Sequence, residues 1–167
     1  MPDVNELRSV LTFSAALGCG LIAGVFFAFS AFVMRALGRI PPNEGIAAMQ
    51  SINVAVLNPV FLSVFMGTAA LCVVAVVFAF LRWREPGAAY LLAGGLLYLV
   101  GTFVVTIAFN VPRNDALAAV APTDPASARL WASYLSSWTA WNHVRTVAAL
   151  AAAAAFTLAF RYGPGPS

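Results

Sequence analysis

Four long apolar stretches, separated by short polar ones, set the plan of the chain. The first, Val10 to Met34, runs 25 residues without a charge, enough to cross a hydrocarbon core of about 30 Å as a helix rising about 1.5 Å per residue. An uncleaved span fits this run better than a signal peptide, whose apolar core is short and followed by a small-residue cleavage site. The second stretch is free of charge from Ile46 to Leu81. It follows Ile40-Pro41-Pro42-Asn43-Glu44-Gly45, where the prolines end one helix and Asn43 is placed to cap the next. Pro59 lies within it, removes a backbone donor and predicts a kink near the membrane entry. A third stretch runs from Ala88 to Val111, directly after the tight connection Arg82-Trp83-Arg84-Glu85-Pro86-Gly87.

The fourth stretch has only 15 charge-free residues, Thr146 to Phe160, too few for a span of about 20. Its crossing must reach back to about Trp141, which brings Asn142, His143 and Arg145 to the membrane boundary. The expected spans are therefore 10–35, 55–81, 88–111 and 141–161. They predict one all-α domain, an integral membrane four-helix up-down bundle, with Gly163 to Ser167 as a frayed tail.

Two periodic features refine the plan. Ala16, Gly20, Gly24 and Ala28 recur every four residues, a small-residue ridge that lets a neighbouring helix approach closely. Tyr98, Thr102, Thr106 and Asn110 also fall at steps of four. That polar stripe should face protein, because an unpaired polar group in hydrocarbon is costly.

Composition agrees with this picture and excludes some functions. The chain is 62% hydrophobic and 9% charged, against about 25% charged in soluble domains. Its expected surroundings are membrane lipid. All nine basic residues are arginines and they are scattered, so no basic stripe exists to bind nucleic acid. Cys19 and Cys72 lie in apolar runs without metal-ligand spacing and read as small buried hydrophobes. Orientation is weakly encoded. Arg82 and Arg84 in the tight loop favour a cell-membrane protein with both termini in the cytoplasm.

Candidate chemistry gathers at one end. In an up-down bundle Gln50, Asn53 and Asn58 meet Asn110, Arg113 and Asn114, and also Asn142, His143 and Arg145, at the same membrane face. Binding sites in helical membrane proteins form between helices where such groups converge. A plainer alternative is that these groups pair with one another and seal the helix ends. On a wheel of 100° per residue, Trp131, Tyr134, Trp138, Trp141, Asn142 and Arg145 share one face of their helix, and His143 lies about 140° from Trp138. The aromatic face suits a cavity wall or, equally, an interfacial belt. His143 is the sole histidine and a natural general base, yet a regular helix would aim it away from that face. One histidine without nearby carboxylates makes a poor metal site, so no metal is expected.

Gly24-Val25-Phe26-Phe27-Ala28-Phe29-Ser30, Ala48-Met49-Gln50-Ser51-Ile52-Asn53, Asn110-Val111-Pro112-Arg113-Asn114, and Trp138 with Trp141-Asn142-His143-Val144-Arg145 together resemble the anthrone oxygenase-like membrane proteins. The resemblance implies a bundle that, in some members, oxidises a fused tricyclic phenolic ketone with O₂. It implies no cofactor, because an acidified CH₂ between aromatic rings can yield a carbanion that reduces O₂ directly. A hydrophobic small molecule is then the expected partner. His143, Arg145, Asn142 and Arg113 become candidate catalytic residues. Asn53, Gln50, Asn110, Asn114, Tyr134, Trp138 and Trp141 become candidate substrate contacts. The competing class is a non-enzymatic carrier or assembly partner, for which the Gly20/Gly24 ridge would suit a homo-oligomer. A sealed pocket would favour the first class, and a path through the bundle the second.

Overall fold

The computed structural model describes residues 4–163, so the expected tail from Pro164 onward lies outside the described residues. Five helices follow one another: α1 (Val4–Leu37), α2 (Pro42–Ala55), α3 (Pro59–Leu81), α4 (Ala88–Ala118) and α5 (Ser127–Tyr162). All but α2 are long and apolar enough to cross a membrane. The chain is thus an all-helical bundle with four membrane-spanning candidates, as its pattern predicts.

The expected kink at Pro59 is replaced by a break. Asn58 is extended (φ −85°, ψ 156°), its side chain accepts from the Phe61 N–H at 3.0 Å, and Pro59 begins α3. Proline is suited to that position, where its missing N–H would have had no helical partner. The 14-residue α2 is therefore a separate element, packed against α1, α4 and α5 at one end of the bundle. It starts behind Pro41 without a side-chain cap, so Asn43 does not have the capping role expected of it. At the other end of the chain α5 is a single 36-residue helix, about 54 Å long. It extends beyond the hydrocarbon thickness and carries Trp131 and Tyr134 up to α2.

Two packed clusters divide the molecule. The larger holds Leu11, Ala15, Cys19, Ile22 and Phe26 of α1, Phe65, Ala69, Cys72, Ala75 and Ala79 of α3, and Leu91, Tyr98, Ala152, Phe156 and Ala159 from α4 and α5. Both thiols are free and buried within it. Alanines and glycines dominate the crossings, which bring backbones close where lipid gives no hydrophobic drive. A Cβ on Gly101 would stand 2.5 Å from the Ala148 Cβ, and one on Gly95 would meet the Val76 side chain and the Cys72 carbonyl. The ridge expected at Gly20 and Gly24 takes no part in this packing, since both face outward with open space before them.

The smaller cluster caps the other end. Met34, Ile46, Met49, Leu117, Trp131, Tyr134 and Trp138 come from α1, α2, α4 and α5. Between the two clusters runs the polar stripe of α4. Tyr98, Thr102 and Asn110 are fully buried. The Tyr98 hydroxyl donates to the Phe65 carbonyl at 3.1 Å, Thr102 donates to the Arg145 carbonyl at 3.3 Å, and Thr106 donates to the Thr102 carbonyl at 2.7 Å. Residues Leu97–Val104 and Thr106–Asn110 form wide turns bonded from i to i−5, as in the Val111 N–H donating to the Thr106 carbonyl. Such turns hold more residues than an α-turn. They offset the drift of about 40° per step that a regular helix would impose on the stripe, which keeps its members facing inward.

Candidate ligand cavity

A cavity of about 550 Å³ opens between the two clusters. Its walls are Val25, Phe26 and Phe29 of α1, Met49, Gln50, Ile52, Asn53 and Val54 of α2 with Val56 and Leu57 after it, Phe61, Leu62, Phe65 and Met66 of α3, Thr106, Ile107, Val111, Asn114, Asp115 and Ala118 of α4, and Trp138 and Arg145 of α5. Toward the tight-loop end it is closed by Phe65, which stacks on Phe103 with ring centroids 5.4 Å apart and accepts the Tyr98 hydrogen bond. The space is therefore a pocket bounded by the packed core.

Arg145 is the charge in this pocket's depth. Its position, 16 residues before Arg161, places it about 24 Å along α5 from that end. Only 5% of it is exposed. The guanidinium carbon lies 4.0 Å from the Phe26 ring centroid and 4.8 Å from that of Trp138. Nε donates to Asn142 Oδ1 at 2.9 Å and Nη1 to Thr106 Oγ1 at 3.3 Å. Among the described residues no carboxylate is within ion-pair distance of it; the two ion pairs, Arg8–Glu85 and Arg82–Glu85, lie at the other end of the bundle. Neutral oxygens and aromatic faces thus hold a cation whose burial would ordinarily call for an anion.

The groups behind Arg145 fix its direction. Asn142 is fully buried and donates from Nδ2 to the Phe26 carbonyl at 2.8 Å and to Ser30 Oγ at 2.7 Å, leaving its Oδ1 for Arg145. Ser30 Oγ and Thr146 Oγ1 share a hydrogen bond of 3.1 Å. α1 widens over Phe29–Val33 beside this contact, where the polar side chains of α5 meet its backbone; wide turns are frequent where side chains engage a helix ladder. Asn114 sets the aromatic wall in the same manner. Its Oδ1 accepts from Trp138 Nε1 and from the Tyr134 hydroxyl, both at 2.8 Å, so one amide oxygen orients two rings.

The predicted site residues divide accordingly. Gln50, Asn53, Asn114, Trp138 and Arg145 line the cavity. Asn142 and Tyr134 hold those walls from behind. Gln50 also donates to the Leu117 and Val120 carbonyls at 2.8 and 3.0 Å, tying α2 to the end of α4. Asn110 is buried against the Trp138 carbonyl at 3.2 Å, outside the cavity lining. Arg113 turns to the side, donating to Ser137 Oγ at 3.1 Å and to the Phe109 carbonyl at 2.6 Å, and Trp141 stacks on Phe109. His143 is exposed on the outer side of α5 and is not part of the lining. The regularity of α5 accounts for this, because it preserves the angle separating His143 from Trp138. Phe26, Phe29, Phe61, Phe65, Thr106 and Asp115 were not among the predicted contacts, yet they line the pocket. Among the described residues no three His, Cys, Asp or Glu side chains are grouped to hold a metal ion.

Against known proteins, the model of the anthrone oxygenase family matches residues 61–155, more than half of the chain. The match covers α3, α4 and most of α5, and leaves the motifs at Gly24–Ser30 and Ala48–Asn53 outside it. No curated protein and no solved structure matches.

Proposed function

The chain belongs to the anthrone oxygenase family, and from that membership together with the Arg145 pocket we propose that it oxidises a hydrophobic polycyclic phenolic ketone with O₂ inside the membrane. The observation that carries this reading is a buried guanidinium, without a carboxylate partner among the described residues, at the end of an aromatic pocket. Such a site suits a planar aromatic whose oxygen gains negative charge during reaction. In a pocket of low polarity, a fixed cation aimed at that oxygen favours the charged transition state. Phe26, Phe29, Phe61 and Trp138 supply the faces against which fused rings would lie.

The chemistry follows from the substrate. A base removes one proton from the ring CH₂, and the electron pair delocalises onto the ketone oxygen facing Arg145. The resulting anion passes one electron to O₂, and the two radicals join as a carbon-bound peroxide. Loss of water from that peroxide forms the new carbonyl, so R₂CH₂ and O₂ become R₂C=O and H₂O. With His143 on the outer surface, Asp115 is the carboxylate of the cavity lining and takes the role of base in this scheme. It accepts the carbon-bound proton and returns it to the departing oxygen.

The test is O₂ consumption by the protein in lipid nanodiscs with a dihydroxyanthracenone as substrate, followed together with the appearance of the quinone. The reading predicts turnover above the uncatalysed rate that is lost in Arg145→Ala. Asp115→Asn should lower kcat by about two or more orders of magnitude, the usual range for a lost general base, with little change in affinity. Equal rates for wild type and Arg145→Ala would overturn it.

A further inference from the structure

We propose that the pocket receives its ligand sideways from the bilayer, through a gap between α3 and α4 flanked by Met66 and Ile107. This rests on the reading that the Arg145 pocket is the ligand site, and it narrows the ligand to aromatics dissolved in lipid near the interface. The two helices are pinned by the Phe65–Phe103 stack and the Tyr98 bond to Phe65, at the level of Met66. From that level outward both contribute lining residues to the cavity, Met66 and Leu62 from one and Ile107 and Val111 from the other. The cavity separates them there.

The character of the rim sets the source of the ligand. Met66 and Ile107 are 49% and 52% exposed, and Val54, Leu57 and Val111, which also line the cavity, are exposed, whereas the exposed polar lining residue Asp115 lies about two turns of α4 farther on than Ile107. Aliphatic side chains around an opening present no barrier to an apolar molecule and offer water nothing to bond. Depth agrees with this. Met66 is 15 residues from Leu81, or about 22 Å along α3, and Ile107 is 19 residues from Ala88 along α4, whose wide turns shorten the rise per residue. Both heights fall within a hydrocarbon layer of about 30 Å, toward its far boundary. Amphipathic ring systems concentrate at that depth, polar edge toward the headgroups. A fused phenolic ring entering there would travel with its apolar face along Leu62 and Met66. Its oxygen would finish at Arg145, which lies at comparable height on α5.

The experiment is stopped-flow association, without O₂, of dihydroxyanthracenone with the full chain in liposomes, followed by quenching of tryptophan fluorescence. Wild type should bind, and Arg145→Ala should not. In Met66→Trp/Ile107→Trp the association rate should fall by about tenfold and dissociation should slow with it, since an obstructed entrance slows both directions alike. Met66→Ala/Ile107→Ala should associate faster than wild type, and this second variant decides the matter if the bulky one loses affinity. Arg145-dependent binding with unchanged rates in the variants would overturn the entrance and leave the pocket standing. Binding that is absent, or indifferent to Arg145, would overturn the pocket and the entrance with it.

Discussion

Arg145 joins the packing of three helices to the wall of the cavity through a few contacts. Its Nε and Nη1 serve two oxygens on different helices, Asn142 Oδ1 and Thr106 Oγ1, while its flat face rests between Phe26 and Trp138. Lysine has neither the fork nor the plane. Arg145→Lys should therefore retain the charge yet fail to restore ligand affinity, as isothermal titration would reveal. Arg145→Ala should also lower stability by about 1–3 kcal/mol, because buried acceptors lose their donors, and thermal unfolding in detergent measures this. Asn114 makes a second residue-scale prediction. Asn114→Ala removes the oxygen that orients both Trp138 and Tyr134, and should weaken ligand binding while the far cluster of the bundle stays intact. Much at this scale was legible in the sequence. The angular separation of His143 from Trp138 follows from arithmetic on a regular helix, and the cost of burying Arg145 follows from its position just before an apolar run too short to cross alone. The lining phenylalanines were not legible, because a phenylalanine in an apolar span reads alike whether it faces lipid, core or cavity.

At the scale of elements, close approach is the controlling quantity. Gly101 lies against Ala148 and Gly20 against open space, although both sit in apolar helices. Gly101→Leu should cost at least the roughly 1–3 kcal/mol of overpacking a tight crossing. Gly20→Leu should leave the melting temperature of the monomer near that of wild type. Spacing alone suggested the Gly20/Gly24 ridge, and it could not say which side of α1 the bundle would occupy. The break at Asn58 was misread for a related reason. A proline inside a charge-free run fits a kinked helix and a helix start alike, and an asparagine before it tips the balance only through its capping bond to Phe61. Asn58→Ala should lower stability by about 1 kcal/mol, the usual cost of a lost cap, and circular dichroism melts would record it.

At the scale of the whole molecule the two ends of the bundle differ in kind. The tight-loop end is locked: Arg8, itself buried, donates to Glu85 Oε2 at 3.3 Å and to the Pro86 carbonyl at 2.6 Å. Gly87 beside it has φ +80°, where any Cβ would meet Arg8 and the Ala159 carbonyl. The opposite end, where α2 packs against α1, α4 and α5, encloses the pocket. Alternating hydropathy blocks foretold four helices long and apolar enough to cross a membrane, and the polar groups of separate segments foretold which end would enclose a cavity. The volume between them required three-dimensional packing to appear. Photolabelling of the protein in nanodiscs with an azido-anthraquinone, with labelled residues mapped by mass spectrometry, shows whether an aromatic ligand occupies the Arg145 pocket. The account predicts adducts on cavity residues such as Phe26, Met49 and Trp138, and their loss in Arg145→Ala. Labelling confined to the lipid-facing surface around Gly20 and Gly24, or unaffected by Arg145→Ala, would contradict it.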